Sequence, residues 1–248
     1  MKRSFLLILV LLLPACRAAT PAPQTVPAAA SSAVSTAPAA LPGALHWFRS
    51  SAEYRAATIQ TYRLAAERLE EVADDLQPGT WAVSLDADET ILDNSQYQKE
   101  LAETGGHFES ATWNAWVRRE AAPAIPGAAG FLAIVRKLGG KIAIVTNRGE
   151  EVCDATRSNL RKVGLIYDVV LCGSGEKEPR WEMVTKGTAS PDLPSLQLVL
   201  WLGDNIQDFP DLDQTVRTKP DEAFVDFGVR YFVIPNPVYG SWERNPQE

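Results

Sequence analysis

The run Trp81-Ala82-Val83-Ser84-Leu85 is short and apolar, is preceded by Pro78-Gly79, and passes directly into Asp86-Ala87-Asp88-Glu89-Thr90. A run of that length beside turn residues reads as a buried strand. Further apolar runs follow at Lys141–Thr146, Asp168–Leu171, Gln197–Leu202 and Arg230–Ile234. Between them, residues of roughly 127–138 and 150–163 carry helical patterns closed by Gly139-Gly140 and Gly164, and 177–187 also reads as helical. Strands alternating with helices build βαβ units, so the expected fold class is α/β with a mainly parallel sheet. In such a sheet, ligands bind at the C-terminal ends of the strands. Asp86 and Asp88 stand at such an end.

Before the first strand, Tyr54, Thr58, Ile59, Tyr62, Leu64-Ala65, Leu69 and Val72 recur at helical spacing within Ser50–Leu76. Ser50 or Ser51 can cap this helix and Pro78-Gly79 ends it, so its aromatic residues are expected in the core. Residues 91–125 interrupt the alternation after the first strand. A polar helix to about Thr104, a break at Gly105-Gly106 and a second helix over Ser110–Ala121 would form a small cap above the strand ends. Trp116 is expected in the core of that cap, and Asp93 and Asn94 should tie down the loop that leads into it.

The chain's 248 residues and net charge of −7 suit one elaborated α/β domain and argue against a nucleic-acid-binding surface. Two histidines, His46 and His107, are too few for histidine-ligated zinc or phosphohistidine chemistry. At the N-terminus, Lys2-Arg3 precede an apolar stretch, Phe5–Leu13, too short to span a bilayer, and then Leu13-Pro14-Ala15-Cys16. This reads as a signal peptide over residues 1–16 with Cys16 as the lipidated first residue of the mature chain; an ordinary secretory signal cleaved near Ala19 is the alternative. Residues 17–42, rich in Ala, Pro, Ser and Thr, read as a tether without a packable pattern, leaving 43–248 as the folded domain. Cys153 and Cys172 could pair in an oxidising compartment, but their spacing fixes no geometry. Two small buried hydrophobes are the favoured expectation.

Four polar clusters follow strands or open a helix: Asp86-x-Asp88-x-Thr90, Thr146-Asn147-Arg148, Lys177, and Gly203-Asp204-Asn205-Ile206-Gln207-Asp208. Paired acids repel one another unless a cation or a shared proton offsets them. An all-carboxylate set favours a hard divalent ion such as Mg²⁺. An ionised Asp86 could attack phosphorus to give an acyl phosphate, with the cation between Asp86 and Asp204 screening the substrate dianion. Thr146 and nearby backbone amides could hold phosphate oxygens, and Lys177 could offset developing charge. Lys162 and Lys186 are rival lysines for that role. Asp88 could protonate the leaving alkoxide and later deprotonate the hydrolytic water.

These clusters resemble the haloacid dehalogenase (HAD) superfamily of phosphatases. Asp86-Ala-Asp88-Glu89-Thr90-Ile-Leu-Asp93-Asn94-Ser95, Val145-Thr146-Asn147-Arg148, Gly203-Asp204-Asn205 with Asp208-Phe209, and Pro235-Asn236-Pro-Val-Tyr239-Gly240 are similar to the bacterial class C acid phosphatases of subfamily IIIB, which are lipoprotein-type 5'-nucleotidases. Arg49–Tyr54 also resembles the opening helix of their folded part. The resemblance covers about 47–243. It implies a Rossmann-like core with a small helical cap and Mg²⁺-dependent hydrolysis of phosphomonoesters, 5'-nucleotides foremost. It implies Asp86 as nucleophile, Asp88 as acid/base with its backbone carbonyl on the metal, Asp204 as a metal ligand and Asp208 in or next to the metal's shell. Thr146 and Asn147 would bind phosphate, Lys177 would be the conserved-role lysine, and Trp113 and Tyr239 would stack an aromatic leaving group. Ala87 stands where the family usually has a larger aliphatic residue; its side chain should face away from the chemistry. The resemblance also implies a periplasmic or outer-membrane lipoprotein, the latter favoured by Arg17 after Cys16. The oligomeric state stays open, a homodimer included. Two alternatives share the pocket: a phosphotransferase using the same intermediate, and a surface lipoprotein that only binds a ligand.

Overall fold

The computed structural model describes residues 40–247. The expected signal peptide, the expected lipidation site Cys16 and nearly all of the expected tether lie outside those residues. Within them, five strands form one sheet: β1 (Trp81–Leu85), β2 (Lys141–Thr146), β3 (Val169–Cys172), β4 (Gln197–Gly203) and β5 (Tyr231–Val233). Their order is β3-β2-β1-β4-β5, and every pairing is parallel. The chain winds outward from β1 through β2 to β3, then crosses back to β4 on the other side of β1. That reversal at β1 and β4 is the topological switch point, where the connections diverge and leave a crevice. Leu85 is level with Ile144 and with Leu202, so Asp86 and the residues after Gly203 emerge beside one another.

The strand residues divide between two cores, alternating along β1 and β2 and shifting register within β4 between Leu198 and Leu200. Val83, Leu85, Ile142, Ile144, Leu200 and Leu202 face one side. There they meet Tyr62 and Leu69 of α2 (Ala52–Ala73), Phe131, Leu132 and Val135 of α5 (Ala128–Lys137) and Leu160 of α6 (Cys153–Lys162). Ala82, Ala143, Val145, Leu198 and Trp201 face the other side, against Trp181 and Val184 of α7 (Glu178–Lys186). Trp181 Nε1 donates to Ser84 Oγ at 2.8 Å, giving the buried Ser84 hydroxyl a partner. Burial on both faces explains why these strands read as continuous apolar runs.

The helix read over Ser50–Leu76 is one helix, α2, and a further helix that was not foreseen precedes it. That helix, α1 (Gly43–Ser50), ends at Ser51, whose extended backbone turns the chain; the Ser51 hydroxyl then accepts the Tyr54 amide and starts α2. Ser51 is therefore the cap of α2, one of the two serines expected there. The aromatics of α2 are core, as expected: Tyr54 and Tyr62 are buried. The cap elements are α3 (Ser95–Thr104), closed by Gly105 at φ 64°, and α4 (Ser110–Arg118), where Trp116 is buried.

One expectation is overturned. Cys153 and Cys172 are joined by a disulfide, with Cα atoms 5.9 Å apart. The 19 residues between them in sequence hide the proximity. The parallel register sets Thr146 level with Cys172, and the loop after Thr146 returns Cys153 at the start of α6 to the same strand end. Both residues are buried, as expected of small hydrophobes, but not as free thiols.

Candidate active site

Asp86 and Asp204 follow β1 and β4, the neighbours at the switch point. The Asp86 amide still bonds the Leu202 carbonyl at 3.0 Å, fixing the nucleophile candidate at the last register position of the sheet. Its side chain is locked as well: Oδ2 accepts the Asp88 amide at 2.9 Å and Oδ1 accepts Lys177 Nζ. Lys177, at the N-cap of α7, is 3% exposed and also reaches Asp208 Oδ1 at 2.6 Å. The rival lysines are elsewhere, Lys162 on Glu120 and Lys186 on Glu182, at exposed positions.

Gly203 lets this cluster close. A Cβ there would overlap the Asp208 side chain, so the strand end must be glycine for Asp208 to pack against it. Asp208 Oδ2 accepts the Asn205 amide at 2.9 Å, which folds the β4 loop back on itself. Asp204 accepts Thr90 Oγ1 at 3.1 Å and Asn236 Nδ2 at 2.8 Å. Oxygens of Asp86, Asp204 and Asp208 all lie within 4.8 Å of one another.

Three carboxylates meet one ammonium here, and the titration shifts register the imbalance. Burial pushes the Asp86 carboxyl up to about 7 against the pull of Lys177, with Asp208 and Asp88 adding to the rise. Burial, then Asp208 and Asp86, also push Asp204 well above the usual carboxylate range. For Lys177, burial works against the charge, but Asp208 and Asp86 outweigh it and hold the ammonium above the ordinary lysine range. A compact all-oxygen set with surplus negative charge fits a hard divalent cation. Asp86, Asp204 and Asp208 are the residues that would hold it.

Asp88 has a different setting. Its Oδ1 accepts Arg148 Nε at 2.9 Å, Arg148 Nη2 at 2.7 Å and Asn94 Nδ2 at 2.8 Å. Glu89, which follows, has a left-handed backbone at φ 50° and is buried. The Asn94 amide at 2.7 Å and the Tyr239 hydroxyl donate to its carboxylate, holding the turn and the C-terminal loop together. Burial pushes the Glu89 carboxyl well up, and Asp88 and Asp204 add to it. From α2, the Tyr62 hydroxyl donates to the Thr90 carbonyl at 2.6 Å. Ala87 is fully buried in the core, facing away from the cleft.

The cleft above these groups has a volume of about 710 Å³. Asp86, Asp88, Asn147, Lys177, Asp204 and Asp208 form its polar floor. Trp113 and Phe108 of the cap segment and Tyr239 contribute aromatic walls. Thr146 is not on the lining: it is fully buried and its hydroxyl accepts the Arg148 amide at 3.2 Å. Asp93 and Asn94 hold the loop as expected, Asp93 Oδ1 accepting the Ser95 amide at 2.8 Å. Two arginines were missed as supports. Arg148 pairs with Asp88. Arg180 donates to the Thr146 carbonyl at 2.5 Å, to Asn147 Oδ1 at 2.6 Å and to the carbonyls of Gly173, Gly175 and Glu176. Arg148 stood inside a quoted motif. For Arg180 the available signal was only its place one turn after Lys177.

The family model described as HAD superfamily, subfamily IIIB (Acid phosphatase), matches residues 15–242. Similar solved structures include the class C acid phosphatase from Bacillus anthracis, 30% identical, with a TM-score of 0.71 over 81% of this chain and 85% of that one. The class C acid phosphatase from Bacillus anthracis with tungstate bound is 29% identical, with a TM-score of 0.70 over the same shares.

Proposed function

From the premise that this chain belongs to the HAD superfamily, subfamily IIIB, the acid phosphatases, we propose that it hydrolyses small phosphomonoesters, 5'-nucleotides foremost, through an aspartyl phosphate on Asp86 with Mg²⁺ as cofactor. It is a phosphomonoesterase; the substrate, the intermediate, the metal and the residue roles are the proposal. The observation that carries it is the junction of Asp86, Asp204, Asp208 and Lys177 at the switch point of the sheet.

Asp86 meets the demands on a nucleophile, since its carboxylate is held from both sides before substrate arrives. Preorganisation removes orientational cost from the attack. When bound, a divalent cation on Asp86, Asp204 and Asp208 would screen the dianionic phosphate from the attacking carboxylate and orient the two. Lys177 places a buried positive charge against the nucleophile, where charge stabilisation is worth more than in water. The Asn147 amide group, oriented by Arg180, is positioned for phosphate oxygens. Thr146 accepts the Arg148 amide and so shapes that loop, with its own O–H left to donate. Asp88 protonates the departing alkoxide, then takes a proton from the water that hydrolyses the intermediate. Trp113 and Tyr239 offer aromatic faces to a nucleobase, and Tyr239 is anchored for that by its bond to Glu89.

The domain organisation is also part of the proposal: a folded phosphatase over 43–248 held on the 17–42 tether by a lipid on Cys16, in the cell envelope. Among the described residues no helix is long and apolar enough to cross a membrane. The test is phosphate release from 5'-AMP with Mg²⁺, with a chelator, and by Asp86→Asn. Release that requires both the cation and Asp86 is the expected result. Equal release by all three would refute the assignment of the site.

A further inference from the structure

We infer that Arg148 is the positioning residue for the acid/base: it occupies one oxygen of Asp88, so that the other oxygen alone exchanges the proton with the leaving group. The inference rests on the role of Asp88 just proposed, and it adds a residue and an atom to that role.

The geometry is specific. Asp88 Oδ1 accepts two N–H groups of the Arg148 guanidinium and one of Asn94. An oxygen surrounded by three N–H donors has no room for a proton of its own. Among the described residues no donor reaches Asp88 Oδ2. The proton that a general acid must deliver therefore resides on Oδ2, and the carboxyl plane is set by the guanidinium bonded to Oδ1.

Arg148 is itself immobilised. Its side chain is 1% exposed, and it donates to Thr156 Oγ1 on α6 at 3.1 Å and to Asn94 Oδ1 at 3.1 Å. Its amide donates to Thr146, and its carbonyl accepts the Gly173 amide at 2.9 Å. A planar fork held at its outer nitrogens fixes its partner in direction as well as distance, which a lysine cannot do. The fixed unit also includes the cap. Trp116 on α4 donates to the same Asn94 Oδ1 at 2.9 Å, and Trp113, one turn earlier, lies with its ring centroid 5.4 Å from the guanidinium carbon. The helix that walls the leaving-group side of the cleft is thereby joined to the group that protonates the leaving group.

An Asp86 oxygen forms a bond to phosphorus, the ester P–O bond breaks, and the departing oxygen takes that electron pair together with the proton from Asp88 Oδ2. Losing the orientation of Asp88 should harm substrates in proportion to their need for that proton. Alkyl phosphates leave as strongly basic alkoxides and need it; p-nitrophenyl phosphate leaves as a stabilised phenolate and needs it little.

The experiment measures kcat/KM with Mg²⁺ for 5'-AMP, glycerol phosphate, phenyl phosphate and p-nitrophenyl phosphate. The enzymes are the wild-type full chain, Arg148→Met, Arg148→Lys, Asp88→Asn and the Arg148→Met/Asp88→Asn double variant. kcat/KM covers steps up to formation of the aspartyl phosphate, so hydrolysis of that intermediate does not blur the reading. General acid catalysis contributes about 100-fold to 10,000-fold, so the expected result for Arg148→Met is a loss of at least about 100-fold on the alkyl esters and less than about 10-fold on p-nitrophenyl phosphate. Arg148→Lys should fall between it and wild type, and it decides the matter if the methionine variant does not fold. The double variant should show the same leaving-group dependence as Asp88→Asn alone. A uniform loss across all four substrates, or additive losses in the double variant, would overturn the inference by making Arg148 merely structural. A wild-type chain that hydrolyses none of them would instead refute the phosphatase mechanism on which the inference rests.

Discussion

Replacing Cys153 and Cys172 together by alanine removes one cross-link and little else, because both sites lie in an apolar setting. A loop closed over a sequence separation of 19 residues should withdraw about 3 kcal/mol of chain entropy from the unfolded state, so the double variant should be less stable by about that amount. For a domain of this size each kcal/mol moves Tm by about 2–4 °C, giving an expected fall of about 6–12 °C. Thermal and urea unfolding of the oxidised wild type and the double variant, followed by circular dichroism, measure it; peptide mapping without reduction verifies the bond. Activity at room temperature should persist. Arg180 and the Gly173–Arg148 backbone bond still join the two loops that the disulfide spans. A fall of less than about 2 °C with the bond verified would refute the reasoning. It would mean that the unfolded chain keeps these strand ends together without the cross-link.

Lys177→Met strips the one ammonium from a buried carboxylate cluster, which should destabilise the chelated protein by about 3–5 kcal/mol; urea unfolding should show much of the loss recovered with excess Mg²⁺. Gly203→Ala forces a methyl group into Asp208, and metal titration calorimetry should register weakened cation binding even where the fold survives. The pH response of chelated protein has a definite sign. Asp86, at about 7, and Asp204 bind protons more readily folded than unfolded. Stability should therefore rise as pH falls from about 8 to about 5, and bound cation should flatten that slope. Melting curves that rise toward alkaline pH in chelator would contradict it.

Much of this architecture was legible because a parallel sheet advertises itself. Strands buried on both faces are continuous apolar runs, and chain order plus right-handed crossovers send their C-terminal ends to one edge. Asp86, Asp204, Asp208 and Lys177 could thus be assigned to one place before any distance was known. Most of the rest lies in contacts that leave no pattern in the sequence. Arg148 and Asp88 are 60 positions apart, and an arginine after a strand does not state its partner. The five bonds of Arg180 go mostly to backbone carbonyls, which leave no trace in side-chain chemistry. The disulfide depended on the register of β2 and β3. The cap at Ser51 was legible, but the short helix Gly43–Ser50 before it was not read. The bond by which the Thr146 hydroxyl accepts the Arg148 amide is also visible only in the folded loop.

In the proposed mechanism Asp86 takes the phosphoryl group. Acid quenching of the enzyme during turnover of a labelled phosphomonoester with Mg²⁺, followed by peptide mass spectrometry, tests it most directly. Label is expected on the peptide containing Asp86 and none in Asp86→Asn. Turnover without any covalent label, together with an active Asp86→Asn variant, would contradict it.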